Sequence, residues 1–180
     1  MHLSTAALEA GLDTVRAAPA DDGRLELIVR RPAVGEREEL AEGQLDTAEG
    51  LVGDSWRARG SRRGPADPDA QITLMNARAA LLVAVDPARR ALAGDQLYVD
   101  LDLSESNLPP GTRLAIGDAV IELSAKPHTG CAKFSARFGK EALRFVNSPE
   151  GRKLRLRGAN ARVVVGGTVR AGDRVRKLGS

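Results

Sequence analysis

The sequence predicts a mainly β fold, a small barrel carrying a few helices. Three observations predict it. Short apolar–polar alternations fill the chain from Gly94 onward. Gly-Asp pairs lead into apolar residues at Gly94-Asp95-Gln96-Leu97, Gly117-Asp118-Ala119-Val120 and Gly172-Asp173-Arg174-Val175, a recurring turn-to-strand device. The length, 180 residues, suits one domain of about 100–200 residues and leaves no room for two cores.

In chain order, residues 4–17 read as an amphipathic helix. Ser4 or Thr5 can cap it, and Leu8, Leu12 and Val15 recur at helical spacing. Pro19 and Asp21-Asp22-Gly23 end it, so residues 1–23 form a helical extension ahead of a single domain over 24–178. Leu25, Leu27 and Val29 then mark a strand with one mostly apolar face, stopped by Pro32 and Gly35. Residues 36–70 are polar and turn-rich, with a basic stretch at 57–63, and read as a long loop, functional or mobile. Residues 71–75 form a strand, and Asn76 caps a helix running to Val85, closed by Asp86-Pro87. Leu97, Val99 and Leu101 alternate with Tyr98, Asp100 and Asp102; the two aspartates share a strand face and could pair as acid and base, but read more readily as a solvent-facing edge. Strands at 113–116 and 120–123 flank Gly117-Asp118, a strong hairpin signal. A helix starts at Cys131, with Phe134 and Phe138 at helical spacing. Residues 152–157 alternate Lys153, Arg155 and Arg157 with Leu154 and Leu156 and read as a strand with a basic face; strands at 161–165, 168–170 and 174–178 follow.

Composition excludes several classes. Aromatics are 3% of the chain, which argues against the stacking surfaces that bind single-stranded nucleic acid. The longest apolar run, 79–85, falls far short of the ~20 residues that span a bilayer. Glu9 and Asp13 interrupt what would be the apolar centre of a signal peptide, and a single cysteine excludes an internal disulfide, so a cytoplasmic location is expected. The net charge of +3 hides a gradient. Residues 1–55 hold 5 Lys/Arg against 12 Asp/Glu, whereas residues 126–180 hold 14 against 3. The basic third suits a phosphate, a pterin phosphate or nucleic acid, unless the acidic third folds back over it.

Cys131 is the residue most suited to chemistry. It sits in the polar, small and basic run Lys126-Pro127-His128-Thr129-Gly130-Cys131-Ala132-Lys133, beside a glycine that permits close backbone approach. At a helix N-terminus near cations its thiolate is favoured, and a thiolate can be a nucleophile, a persulfide carrier or a soft metal ligand. A buried, inert cysteine is the plain alternative. His128 is either a supporting hydrogen-bond donor or an exposed loop residue. With His2 the only other histidine, a protein-only zinc site lacks its three or four ligands. No Gly-x-Ser-x-Gly elbow or phosphate-cradling glycine loop is present.

Several segments, in order, resemble the MOSC domain, named after the C-terminal part of molybdenum-cofactor sulfurase. They are Gly50-Leu51-Val52-Gly53-Asp54, Gln71-Ile72-Thr73-Leu74, Gly94-Asp95-Gln96-Leu97, the run 107–118, Pro127-His128-Thr129-Gly130-Cys131, and the run 157–164 with Gly172-Asp173. The resemblance implies a β-barrel and a molybdopterin-type molybdenum cofactor centred on Cys131, which would ligate the metal or carry sulfur. It implies cofactor contacts from His128, Thr129 and Lys133, and places Asn107, Arg157 and Arg162 in matching segments. Two positions depart from the family pattern: Gly94-Asp95-Gln96 stands where Gly-Glu-Asn is common, and His128 where an arginine is common. The activity implied is reduction of an N-hydroxylated small-molecule substrate. With no iron–sulfur or flavin signature, that needs a separate electron-donor protein. A non-catalytic module that carries a pterin or phosphate ligand is the alternative, and nucleic-acid binding ranks third.

Overall fold

Closure of a sheet into a barrel removes its exposed edges, and here it joins strands from both ends of the chain. In the computed structural model, which describes residues 1–60 and 64–179, seven strands close in the order β11–β7–β8–β9–β5–β6–β1 and back to β11. They are β1 (Gly23–Arg30), β5 (Ile72–Asn76), β6 (Leu97–Asp100), β7 (Arg113–Ile116), β8 (Ala119–Leu123), β9 (Ala159–Val165) and β11 (Arg174–Lys177). A short β2 (Glu38–Leu40) extends β1. Neighbours run antiparallel except β5 and β6, which run parallel. Their crossover passes through α4 (Ala77–Ala84) and a 3-10 turn, Pro87–Ala93. Asn76 caps α4 as expected, accepting from the amides of Arg78 and Ala79, and its Nδ2 also donates to the Leu101 carbonyl.

Two apolar layers result. Inside the barrel, Leu25, Ile28, Leu74, Leu97, Ile121 and Val163 pack together. Outside it, Leu27, Val29, Met75 and Tyr98 meet the helices. Strand β1 therefore has two apolar faces, not one. A bulge between Leu25 and Leu27 inverts its alternation, sending Leu25 and Ile28 inward and Leu27 and Val29 to the helical layer. The N-terminal helical segment is two short helices, α1 (Thr5–Ala10) and α2 (Leu12–Arg16). They part at Gly11, where a Cβ would strike the Leu82 side chain.

Two further expectations are corrected. Much of the stretch 36–70 is structured: β3 (Glu42–Asp46) and β4 (Gly50–Leu51) form a second sheet with β10 (Gly167–Arg170). Leu45, Leu51 and Val169 join the barrel core. Helix α3 (Trp56–Gly60) follows, and positions 61–63 of the basic stretch lie outside the described residues. The stretch 152–157 is not a strand either. Ser148 caps α7 (Pro149–Lys153) through the Gly151 amide, Pro149 pre-sets its first turn, and Arg155 then turns the chain at φ 48°. Among the described residues, no helix is long and apolar enough to cross a membrane.

Candidate functional site

The C-terminal end of β1 and the starts of β6 and β9 meet at one end of the barrel, and the loop carrying Cys131 crosses there. Two asparagines fix that loop. Asn160 of β9 donates to the Lys126 and Pro127 carbonyls at 3.1 and 3.2 Å. Asn147, ending α6 (Lys140–Asn147), both accepts from the Gly130 amide and donates to its carbonyl, at 2.8 and 3.1 Å. Cys131 is then the exposed N-cap residue of α5 (Ala132–Phe138). Its sulfur makes no capping hydrogen bond. Partial burial pushes the thiol up, but the Phe134 and Lys133 amide dipoles and the Arg157 and Lys133 charges outweigh it, and the thiol lies below its ordinary value.

Beside the thiol lies a buried ionic cluster. Asp95, ahead of β6, is fully buried; its Oδ2 accepts from Arg157 Nη1 at 2.5 Å and its Oδ1 meets His128 Nε2 at 2.8 Å. Burial pushes this carboxyl up, but the charges and hydrogen bonds of Arg157 and His128 hold it below the ordinary range. Arg157 also donates to the Ala93 carbonyl at 2.9 Å and lies over the Phe134 ring at 5.1 Å. Gly158 lets its strand pass: a Cβ there would sit 2.2 Å from the Leu74 carbonyl oxygen and 3.0 Å from the His128 ring. The two departures noted in the sequence, Asp95 and His128, thus touch each other.

A second buried pair forms the opposite wall. Arg31 grips Asp54 through Nε and Nη2 at 2.9 and 2.8 Å and donates to the Gly94 carbonyl at 2.9 Å. Gln96 Nε2 reaches Asp54 at 3.2 Å, while its Oε1 accepts from the Thr73 amide and hydroxyl. Between the walls opens a cleft of about 440 Å³, lined by Cys131, His128, Lys133 and the arginines 31, 37, 59, 137 and 157. No carboxylate lines it among the described residues. Burial, then repulsion from neighbouring arginines, pushes Arg37 and Arg59 below the ordinary guanidinium value. The Nε atoms of Arg37 and Arg157 are buried without a hydrogen-bond partner.

The structure therefore brings Cys131, His128, Lys133 and Arg157 into one cleft and sets Thr129 in an adjoining basin. It places two other candidates elsewhere. Asn107 braces a turn, donating to the Ala20 and Asp102 carbonyls and accepting from Lys177. Arg162 points outward from β9 and pairs with Glu122 at 2.7 Å. Asp54, Arg31, Arg37, Arg59 and Arg137 were not singled out from the sequence. The signals toward them were the segment Gly50-Leu51-Val52-Gly53-Asp54, which ends in Asp54, and the basic stretch holding Arg59.

A family model described as the MOSC domain matches residues 54–176. No curated protein matches the chain. Solved structures do. YiiM from Escherichia coli aligns with a TM-score of 0.57 at 21% identity, over 87% of this chain and 70% of that one. YuaD from Bacillus subtilis aligns at 0.57 and 15% identity, over 85% and 93%. YiiM from Geobacillus stearothermophilus aligns at 0.54 and 14%, over 89% and 74%. At these identities the likeness is one of fold, the closed barrel with its helical layer. With the family model matched over more than half of its length, the chain belongs to the MOSC domain family.

Proposed function

We propose that the Cys131 cleft binds a molybdenum–pterin cofactor, with the Cys131 thiolate as the protein ligand to the metal, and that the loaded protein reduces an N-hydroxylated small molecule. The observation that carries this reading is a soft, partly activated thiol in the same cleft as five arginines, two of which, Arg37 and Arg157, each bury an Nε atom with no hydrogen-bond partner. The residues fit such a group. An anionic cofactor would meet the buried, unpaired Nε atoms of Arg37 and Arg157 and relieve the repulsion among Arg31, Arg37, Arg59 and Arg137. Among the described residues no three His, Cys, Asp or Glu side chains gather around a metal, so one thiolate suits a metal that arrives with most of its ligands.

When bound, the cofactor supplies two-electron oxygen-atom chemistry. The chain's own contribution is to hold it and to shape the approach. Arg37, Arg59, Arg137 and Lys133 would take its anionic groups, and the Asn147 and Asn160 clamps fix the loop that presents the sulfur. Electrons would come from a separate donor protein.

The test is molybdenum and pterin content of protein purified from a host that makes the cofactor, with Cys131→Ala and Arg37→Gln beside the wild type. Near-stoichiometric molybdenum and pterin, with molybdenum lost from Cys131→Ala, supports the reading. Neither component in the wild type would sink it. A mass gain of one sulfur on Cys131 would then point to a persulfide carrier. Phosphate-ligand binding that survives Cys131→Ala would point to a carrier module.

A further inference from the structure

Among the described residues, His128 alone forms part of the wall of three adjoining basins. They are the Cys131 cleft, a second basin of about 260 Å³ on the Arg155 side, and a third of about 610 Å³ on the Trp56 side. The His128 ring is held in a defined way. Asp95 is fully buried, pairs with the Arg157 guanidinium, and is kept ionised by it. An ionised carboxylate only accepts hydrogen bonds, so the 2.8 Å contact requires His128 Nε2 to carry the hydrogen. In the neutral ring Nδ1 is then the bare nitrogen. It has no hydrogen-bond partner among the described residues, and it is not among the buried unpaired atoms.

We infer that His128 is the proton carrier of the Cys131 cleft, held by Asp95 as the Nε2–H tautomer so that Nδ1 exchanges a proton with the bound substrate. A carboxylate that orients an imidazole through one nitrogen and leaves the other for chemistry is the recurring device of acid–base sites. The inference rests on the cofactor reading for the reaction it serves. That reaction balances as R–NHOH + 2 e⁻ + 2 H⁺ → R–NH₂ + H₂O. The N–O bond breaks, the nitrogen is reduced, and an external one-electron donor acts twice. His128 delivers one proton through Nδ1–H to the departing oxygen and is recharged from solvent; the second proton comes from water. The charged groups around the ring are its partner Asp95 ahead of β6 and, lining the three basins, Arg31 after β1, Arg37, Arg59 in α3, Asp67, Glu105, Lys126 in its own loop, Lys133 and Arg137 in α5, Arg152 in α7, and Arg155 and Arg157 ahead of β9.

Two measurements test it. Long-range proton–nitrogen NMR of the full chain reads the tautomer directly, and His2→Gln assigns the two histidines. The expected result is a neutral His128 ring with its hydrogen on Nε2; a neutral ring with its hydrogen on Nδ1 instead would overturn the inference. The second compares wild type with His128→Gln, using benzamidoxime as substrate and reduced methyl viologen as donor. Glutamine keeps a hydrogen-bond donor for Asp95 but cannot carry a proton. The expected result is kcat lower by about 10²-fold or more, KM little changed, one pH limb lost, and molybdenum content unaltered. Unchanged kcat, or a loss matched by lost molybdenum, would overturn the inference. If the wild type holds no molybdenum the cofactor reading fails separately, and the tautomer alone decides this one.

Discussion

At the scale of single residues, the site turns on whether a charge has a partner. Cys131 has two cations, Arg157 and Lys133, that favour its ionised form. Its alkylation rate should therefore rise with pH around a midpoint below the 9.0 of an ordinary thiol, and Lys133→Met should move that midpoint upward. A wild-type midpoint at or above that value would remove the basis for an activated thiol. Arg157 shows the opposite case. Arg157→Met would leave Asp95 buried without its main counter-charge, a loss of about 3–5 kcal/mol in urea unfolding. The same carboxylate sets an acid limit. Its folded value lies below the ordinary 3.8, so its contribution is fully present above that value and disappears as pH falls through it toward the folded one. Stability measured from pH 6 to pH 3 should fall below about pH 4, and less steeply in Asp95→Asn. Cys131 was legible in the sequence because it is the only cysteine and its neighbours are small and basic. Asp95 was legible as a position, in Gly94-Asp95-Gln96, but its pairing was not, because its partners lie 33 and 62 positions away and no local pattern links them.

Elements were legible where a local signal set them. Gly117-Asp118 fixed the β7–β8 hairpin, and Asn76 fixed the start of α4. Strands β3 and β4 were missed because each is short and β3 pairs with β10, more than 120 positions along the chain. The Arg152 region was misread because alternating Lys, Leu and Arg imitates a strand. The Ser148-Pro149-Glu150 start was the stronger cue, and it pointed to a helix. The end of α4 carries a different lesson. Val85 lies at φ 65° and ψ −52°, and the Asp86 amide donates to the Ala84 carbonyl at 2.7 Å, which makes a tight γ-turn centred on a β-branched residue. Such a backbone costs about 1–3 kcal/mol, and glycine would relieve it for an entropic cost of about 0.5–1 kcal/mol. Val85 is partly exposed and gives up little burial. Val85→Gly should therefore raise stability by about 1 kcal/mol in urea unfolding. A net loss would mean that the packing of Val85 outweighs its strain.

Across the whole molecule, the charge gradient is resolved unevenly, and that unevenness locates the site. Part of the acidic N-terminal third does fold onto the basic C-terminal third: Asp22 pairs with Arg174 at 2.6 Å and Glu42 with Arg170 at 2.8 Å. These exposed pairs cancel charge on the barrel wall and contribute little stability each. The cleft is left out of this cancellation. Asp54 and Asp95 are the acids packed behind its arginines, and both are already engaged, by Arg31 and Arg157. A mobile anion should therefore bind the native cleft and raise the melting temperature. At ten times its Kd, pyrophosphate would add about 1.4 kcal/mol, or about 3–6 °C for a domain of this size. Added sodium chloride should weaken the effect, because the cleft is open to solvent and its field is screened. Location separates this from a response to overall charge. Arg37→Gln with Arg59→Gln should abolish the shift, whereas Arg170→Gln with Arg174→Gln, which removes the same charge from the paired wall, should leave it intact. Equal losses in the two double variants would mean that net charge, not the cleft, attracts the anion.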